Sequence, residues 1–185
     1  MLFLTLEECC ALSALTGTEY EGGLSDLLYY YRQGEYSHLR LRGVTYSWGD
    51  LDYVPPVEYA EDFAYMKGEE LAGLIDLIAS EGIYDTIVAD LGHFFWGTEQ
   101  FLSLCDVIYT PVQEDPVSLV KLEQWQKYIE ASGYGRLLER IRKIRLPYQK
   151  NLVQQGHYLE QLLWGEMGDF VRSLTGRGES GREES

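Results

Sequence analysis

The sequence predicts a three-layer α/β fold in which helices flank a mostly parallel sheet. Three observations support this class. Short apolar runs alternate along the chain with segments of helical period. The segment from Glu69 to Ser80 repeats its apolar residues at the spacing of one helix face. Asp115 followed by Pro116 provides a helix cap and a first-turn proline. Such alternation is typical of βαβ units, whose strands lie parallel.

The predicted elements of the first part of the chain come in a simple order. A strand spans Leu2 to Leu6, and a helix that Ser25 would cap runs from about Asp26 to Arg32. We interpret Leu39 to Val54 as a meander, which Pro55 and Pro56 end because proline cannot continue a ladder.

The later elements alternate regularly between helix and strand. Gly82 is in the position that ends the helix of Glu69 to Ser80. The elements predicted after it are a strand from Thr86 to Ala89, a helix from Thr98 to Leu104, a strand from Val107 to Val112, a helix opened by Asp115-Pro116 with Leu119, Leu122, Trp125 and Ile129 on one stripe, a strand from Ile141 to Leu146, and a last helix with Leu159, Leu163, Met167, Phe170 and Leu174.

Length and composition indicate one globular domain. The 185 residues suit a single domain over residues 1–174, followed by a polar tail, residues 175–185, which we expect to be disordered. The three cysteines form no C-x-x-C motif, so we expect reduced thiols in a cytoplasmic protein. No apolar run reaches the ~20 residues of a membrane span, and the sequence predicts no membrane anchor.

The net charge of −15 argues against nucleic acid as a partner. A phosphate backbone would be repelled by this average field unless a local basic patch overcame it. One such patch spans Arg136 to Arg145, and its alternating apolar residues indicate a strand with a basic outer face. We therefore expect a protein partner or a homodimer.

Acidic residues follow the strands where a parallel sheet binds its ligands. Glu7 and Asp90 end two predicted strands, and Glu114 follows a third. Ligands of such sheets lie outside the carboxyl ends of the strands. The sequence therefore predicts a site at this edge.

Two segments resemble parts of the nucleotide site of the ParA/MinD family of deviant P-loop ATPases, including its CpaE-like members of pilus assembly. Tyr84 to Gly92 resembles the family's Walker B-like strand, and Asp106 to Pro116 resembles the next strand and its proline-started helix. The family's acidic pair falls on Thr5 and Glu7, so that one carboxylate has become a hydroxyl.

The resemblance implies roles for four residues. Glu7 and Asp90 would be catalytic, and Asp90 would hold magnesium through water, because a hard cation prefers oxygen ligands. Gly92 and Pro111 would be cofactor-binding positions. A complete family member would use ATP and magnesium to position or partition cellular cargo or to assemble pili.

The sequence departs from the family at the phosphate-binding loop. No Gly-Lys dipeptide occurs among the 185 residues, so the amide cradle and the lysine are missing. We therefore expect a P-loop NTPase-like fold truncated at its N-terminus, which binds no nucleotide tightly and hydrolyses no ATP by itself.

The missing loop also predicts a gap in the sheet. The family's P-loop strand lies between the strands matching Thr86 to Ala89 and Val107 to Pro111. Either those two strands pair directly, or another chain fills the gap, or the natural protein begins upstream of Met1, which is the alternative we favour.

Other functions remain open at this stage. The chain could be a non-catalytic interaction module on a degenerate NTPase fold, with aromatic contacts at Tyr29, Tyr30, Tyr31, Phe94, Phe95 and Trp96. It could also be a receiver-like phosphoacceptor domain with Lys143 or Lys150 as its lysine. A Ser/His/Asp triad has no nucleophile-elbow motif to support it.

Overall fold

The computed structural model describes residues 1–7, 10–59, 61–62, 65–92, 96–113, 115–147 and 158–175. The chain divides into two compact units, residues 1–106 and residues 107–185. The single domain expected over residues 1–174 stays a prediction. The predicted disordered tail lies outside the described residues from residue 176 onward.

The first unit contains a four-stranded sheet and its helices. In chain order its elements are β1 (Leu2–Leu6), α1 (Leu12–Thr16), α2 (Leu24–Gln33), α3 (His38–Gly43), β2 (Tyr46–Trp48), β3 (Leu51–Val54), α4 (Gly68–Ser80), β4 (Ile87–Leu91) and α5 (Thr98–Leu102). The strand order is β2-β3-β1-β4. Strand β1 runs parallel to both β3 and β4, and only the β2–β3 hairpin is antiparallel.

The second unit is built around a two-stranded parallel sheet. Its elements are β5 (Ile108–Pro111), α6 (Pro116–Ala131), a 3-10 helix (Gly135–Glu139), β6 (Ile141–Ile144), α7 (Tyr158–Trp164) and α8 (Glu166–Leu174). The predicted class, a mostly parallel sheet flanked by helices, is confirmed.

Leucine burial explains why the first unit folds. Strand β1 buries Leu2, Leu4 and Leu6, and helix α4 buries the apolar face that its periodicity predicted. Helix α4 ends at Ser80, and Gly82 adopts a left-handed conformation with φ of 66°, as predicted. Each fully buried leucine contributes about 1.5–3 kcal/mol relative to an exposed one.

The structure corrects two predictions in the first unit. Ser25 does not cap α2: the helix begins at Leu24, and the amide of Gly23 donates to the Asp26 carboxylate at 2.9 Å. The Ser25 hydroxyl instead donates to Asp62. The predicted meander is wrong at its start, because Ser37 caps the short helix α3 before the β2–β3 hairpin begins.

The second unit confirms one cap and corrects one helix. Asp115 caps α6, since its carboxylate accepts hydrogen bonds from the amides of Val117 and Ser118 at 2.9 and 3.0 Å. The predicted last helix is two helices, α7 and α8. Gly165 separates them, because its backbone is extended rather than helical. No helix in the described part of the chain is long and apolar enough to cross a membrane.

Candidate functional site

The carboxyl ends of β1 and β4 bring three predicted site residues together. The two strands are parallel neighbours, with Thr5 paired to Asp90 and Leu6 to Leu91. Glu7 and Gly92 therefore each follow their strand by one residue at the same edge of the sheet. The expected convergence of Glu7 and Asp90 rests on this pairing; their catalytic roles stay a prediction.

Glu7 packs against Gly92. A Cβ atom built at position 92 would lie 2.7 Å from Cγ and 3.3 Å from Oε1 of Glu7. Any larger residue at position 92 would therefore displace the Glu7 side chain. Gly92, which the resemblance implies as a cofactor-binding position, thus has a local steric reason to be glycine.

Thr5 is the most constrained polar residue at this edge. Its side chain is 1% exposed, and its hydroxyl finds no hydrogen-bond partner among the described residues. Paired residues of neighbouring strands point to the same face, so Thr5 and Asp90 share one side of the sheet. A buried polar group without a partner costs about 1–3 kcal/mol, so this hydroxyl destabilises the folded state.

The same face carries a cluster of phenols. Tyr53 pairs with Phe3, two residues before Thr5, and its hydroxyl lies 3.3 Å from that of Thr16. Tyr20 packs edge-on against Tyr53, with ring centroids 6.0 Å apart. Burial raises the pKa of Tyr20 to about 12, so that phenol stays neutral at physiological pH. Glu7 and Asp90 are the acidic side chains that the described parts of the chain bring to this end of the face, at the carboxyl ends of β1 and β4.

The carboxylates suit a hydrated cation better than a dehydrated one. Among the residues that the structure describes, no group of three or more His, Cys, Asp or Glu side chains is placed to hold a metal ion. Asp90 is exposed and Glu7 half-buried, so both can accept hydrogen bonds from the water shell of Mg²⁺. Magnesium binding at Asp90 stays a prediction.

Pro111 lies in the second unit. It is the last residue of β5 and pairs with Ile144 of β6. The amides of Ile108 and Val112 donate hydrogen bonds of 2.9 Å to the carbonyls of Arg140 and Ile144, on the side of β6. Backbone groups of successive residues alternate between the two sides of a strand, so the backbone of Pro111 faces away from β6. Glu114, the third acidic candidate, lies outside the described residues.

The chain after Gly92 returns to the start of α4, a contact that sequence reasoning missed. The carbonyl of Trp96 accepts a hydrogen bond of 2.8 Å from the amide of Gly68. A Cβ atom at Gly68 would collide with the backbone of Gly97, so the two glycines let the segments touch. The indole of Trp96 remains 85% exposed. His93, Phe94 and Phe95 lie outside the described residues.

Comparison with solved structures identifies the class of fold. The chain is similar to the crystal structure of a ParA family ATPase from Chlorobium tepidum TLS, with a TM-score of 0.60 and 17% sequence identity. The match covers 95% of this chain and 78% of the other. The chain therefore has a ParA-like P-loop NTPase fold, as the sequence resemblance implied.

The two other comparisons found no match. No protein-family model matches the sequence, and no curated protein is similar to it at a significant level.

Proposed function

We propose that this chain is a ParA-like protein of the positioning, partitioning or pilus-assembly type that does not hydrolyse ATP through these 185 residues alone. One observation carries the proposal. A ParA-like fold keeps Glu7 and Asp90 at its strand ends, while the sequence contains no Gly-Lys dipeptide. A phosphate-binding loop supplied from outside these residues would be needed for the chemistry of the family.

The residues of the site do not fit a triphosphate. Binding of polyphosphate needs an array of backbone amides and a cation, commonly a glycine-rich loop with its lysine. Residues 1–106 contain 19 Asp and Glu against 4 Lys and Arg, so their average field repels a polyanion. We therefore expect these residues alone to carry out no catalytic step on ATP.

The carboxylates support at most a weak interaction with Mg²⁺. In a complete family member, magnesium neutralises charge on the phosphates. Here Thr5 stands where the resemblance expects a second carboxylate, so the edge offers less negative charge to a cation. We expect Glu7 and Asp90 to orient the water shell of such an ion without holding it tightly.

A nucleotide-binding experiment tests the proposal. Isothermal titration of the purified chain with MgATP, paired with a phosphate-release assay, should give no measurable binding and no turnover above background. Asp90→Asn should behave like the wild type in both assays. Tight, magnesium-dependent ATP binding that Asp90→Asn abolishes would contradict the proposal.

A second candidate is a non-catalytic interaction module, and the exposure of Trp96 favours it. A large aromatic side chain held by its backbone and open to solvent is typical of a contact residue. Tyr29 is also exposed, whereas Tyr30 stacks beneath the Arg40 guanidinium at 4.0 Å.

Paired tryptophan variants test the module. Trp164 is 81% exposed in the second unit and provides the control. If the module is correct, Trp96→Ala should lose a co-purifying protein from the native host while Trp164→Ala retains it. Equal recovery with both variants would remove Trp96 from the contact surface.

A further inference from the structure

Three buried polar atoms come together in the first unit, where helix α3 begins and helix α4 ends. They are the hydroxyl oxygen of Tyr36, Nδ1 of His38 and Oε2 of Glu81, and none has a hydrogen-bond partner among the described residues. Nδ1 of His38 lies 3.5 Å from Oε2 of Glu81. Burial and the neighbouring Glu81 carboxylate raise the pKa of Tyr36, so the phenol lies beside the same carboxylate. Buried polar atoms normally have partners, so three that converge indicate a shared ligand.

Helix ends fix the backbone that carries these three side chains. Gly34 ends α2 in a left-handed conformation with φ of 71°, and the amide of Glu35 donates to the carbonyl of Tyr30 at 2.8 Å. Ser37 then caps α3. Glu81 directly follows α4, and its backbone is still helical. The donor atoms are therefore held on short connections between regular elements.

The distance between Nδ1 of His38 and Oε2 of Glu81 argues against two simple explanations. An N–H···O hydrogen bond is about 2.7–3.2 Å long, so 3.5 Å is too long for a direct bond. A water molecule that bonds both atoms at about 2.8 Å, with its usual angle, would hold them about 4.4 Å apart. The observed distance is too short for that bridge.

The same distance distinguishes between classes of metal ion. Neighbouring ligands of octahedral Mg²⁺, with bonds of about 2.0–2.1 Å, lie about 2.8–3.0 Å apart. Nitrogen and oxygen ligands of tetrahedral Zn²⁺, with bonds of about 2.0–2.2 Å, lie about 3.3–3.5 Å apart. The separation of 3.5 Å fits the tetrahedral ion.

The donor set has the chemistry of such an ion. Imidazole nitrogen suits zinc, copper, iron and nickel, and carboxylate oxygen is a common fellow ligand of zinc. The third donor is the phenol of Tyr36, so the set is not one of three His, Cys, Asp or Glu side chains. Three protein ligands leave the fourth tetrahedral position for water.

The surroundings allow a cation to arrive. Residues 1–106 hold 19 acidic and 4 basic residues, so the average field of this unit attracts cations. The donor atoms are buried, but the imidazole of His38 is 43% exposed and the Glu81 side chain 20%. An ion can therefore reach the donors from solvent.

We infer that Tyr36, His38 and Glu81 form a binding site for a divalent transition-metal ion of the zinc type. Coordination of the Tyr36 oxygen releases the phenol proton to solvent, as binding of zinc to other protonated ligands does. Glu81 lies on the connection that enters the amino end of β4, whereas Asp90 lies near its carboxyl end. The inference is therefore independent of the function proposed above.

Isothermal titration with zinc chloride tests the site. The full chain is used with Cys9, Cys10 and Cys105 replaced by serine, because thiolates also bind zinc. It should bind one zinc ion per chain at this site. Zinc should also raise the midpoint of thermal unfolding, because the ion binds the folded state and joins the start of α3 to the end of α4.

Single substitutions in the same background assign the ligands. Tyr36→Phe, His38→Gln and Glu81→Gln keep the approximate size of each side chain, and each should weaken zinc binding at least ~10-fold. Glu69→Gln, on the exposed side of the same helix α4, and His157→Gln are the matched controls and should bind as the parent does. Far-ultraviolet circular dichroism checks that each variant folds.

Cobalt substitution tests the geometry. Co²⁺ in the site should give the intense visible absorption of a tetrahedral ion, and Glu81→Gln should abolish it.

Three results would overturn the inference. The first is a parent chain that binds no zinc. The second is zinc binding that all three ligand variants retain, which would show an adventitious ion at other groups. The third is a weak octahedral spectrum with Co²⁺. If one ligand variant does not fold, the folded ones decide by the same criterion.

Discussion

The two units of this chain differ both in charge and in how they bury apolar side chains. Residues 1–106 hold 19 acidic and 4 basic residues, which account for the whole net charge, whereas residues 107–185 hold 11 of each. Eighteen of the twenty-two buried apolar side chains among the described residues belong to the first unit. The acidic unit is therefore also the one with the larger leucine-rich core.

The second unit shows that the spacing of apolar residues along a helix does not by itself determine which of them are buried. Helix α6 buries Leu122 and Ile129, as its stripe predicted. Leu119 belongs to the same predicted stripe but is 49% exposed, and Val117 and Val120 are also exposed. Helix α6 has apolar residues on more than one side, and its unit covers only part of this apolar surface.

The largest expected effect comes from truncating matched leucines in the two units. Leu71 in α4 is fully buried, whereas Leu119 in α6 is half exposed. Replacing either leucine by alanine changes the intrinsic helix propensity by the same amount. Leu71→Ala should lower the free energy of unfolding by about 3 kcal/mol because it leaves a cavity. Leu119→Ala should change it by less than about 0.5 kcal/mol.

Urea denaturation followed by circular dichroism measures both leucine variants. A loss at Leu119 as large as that at Leu71 would mean that the outer side of α6 is buried in solution. The contrast between the two units would then not hold.

Glycine substitutions compare the backbone packing of the two units. Gly68→Ala should cost about 2 kcal/mol, since its Cβ would collide with the Gly97 carbonyl and one backbone must move. Gly135→Ala in the second unit should be close to neutral, because its nearest atom would be Glu130 Cγ at 4.0 Å. Thermal unfolding of the two variants measures the difference, and equal shifts would show that the Gly68–Gly97 contact contributes little.

The sequence predicted the elements with a clear apolar pattern and missed one short helix and one break within a continuous pattern. Strand β1 was predicted at its observed bounds, and α4 within one residue, because long apolar patterns are decisive. Helix α3 was missed because His38–Gly43 is too short to show a period. The break at Gly165 was missed because the apolar spacing continues across it.

The candidate site was predictable in position but not in detail. The order of elements sufficed to place Glu7 and Asp90 at one edge of the sheet. The register that pairs Thr5 with Asp90, and the contact between Gly68 and Gly97, join residues distant in sequence and had no local signal. Tyr84 of the Walker B-like segment has a structural role, since its hydroxyl donates to Asp52 at 3.1 Å.

Removing the buried Thr5 hydroxyl of the first unit should stabilise the protein, whereas the substitutions above destabilise it. Thr5→Val keeps the shape of the side chain and removes a polar atom that has no partner among the described residues. It should raise the free energy of unfolding by about 1 kcal/mol. Thr5→Ser keeps the hydroxyl, loses a methyl group and should lower it by about 1 kcal/mol. If urea denaturation shows both variants destabilised, the hydroxyl has a partner in solution.

The smallest effect concerns one carboxylate of the first unit and its dependence on pH. Burial raises the pKa of Glu70, but hydrogen bonds from Arg32 and the Lys67 amide outweigh burial, so the pKa is lowered. The stabilisation is therefore present above the unfolded-state pKa and is lost as pH falls through the folded-state value. Glu70→Gln should lower the free energy of unfolding by about 0.5 kcal/mol at neutral pH, because the ion pair is partly exposed.

The pH profile of that variant separates charge from packing. The difference between Glu70→Gln and the wild type should shrink as the pH approaches the folded-state pKa and vanish below it. Glu123→Gln in the second unit is the control, because the Glu123–Lys127 pair is exposed and largely screened by water. A Glu70→Gln deficit that stays constant down to acid pH would show that the Glu70 side chain acts through its shape and hydrogen bonds, and not through its charge.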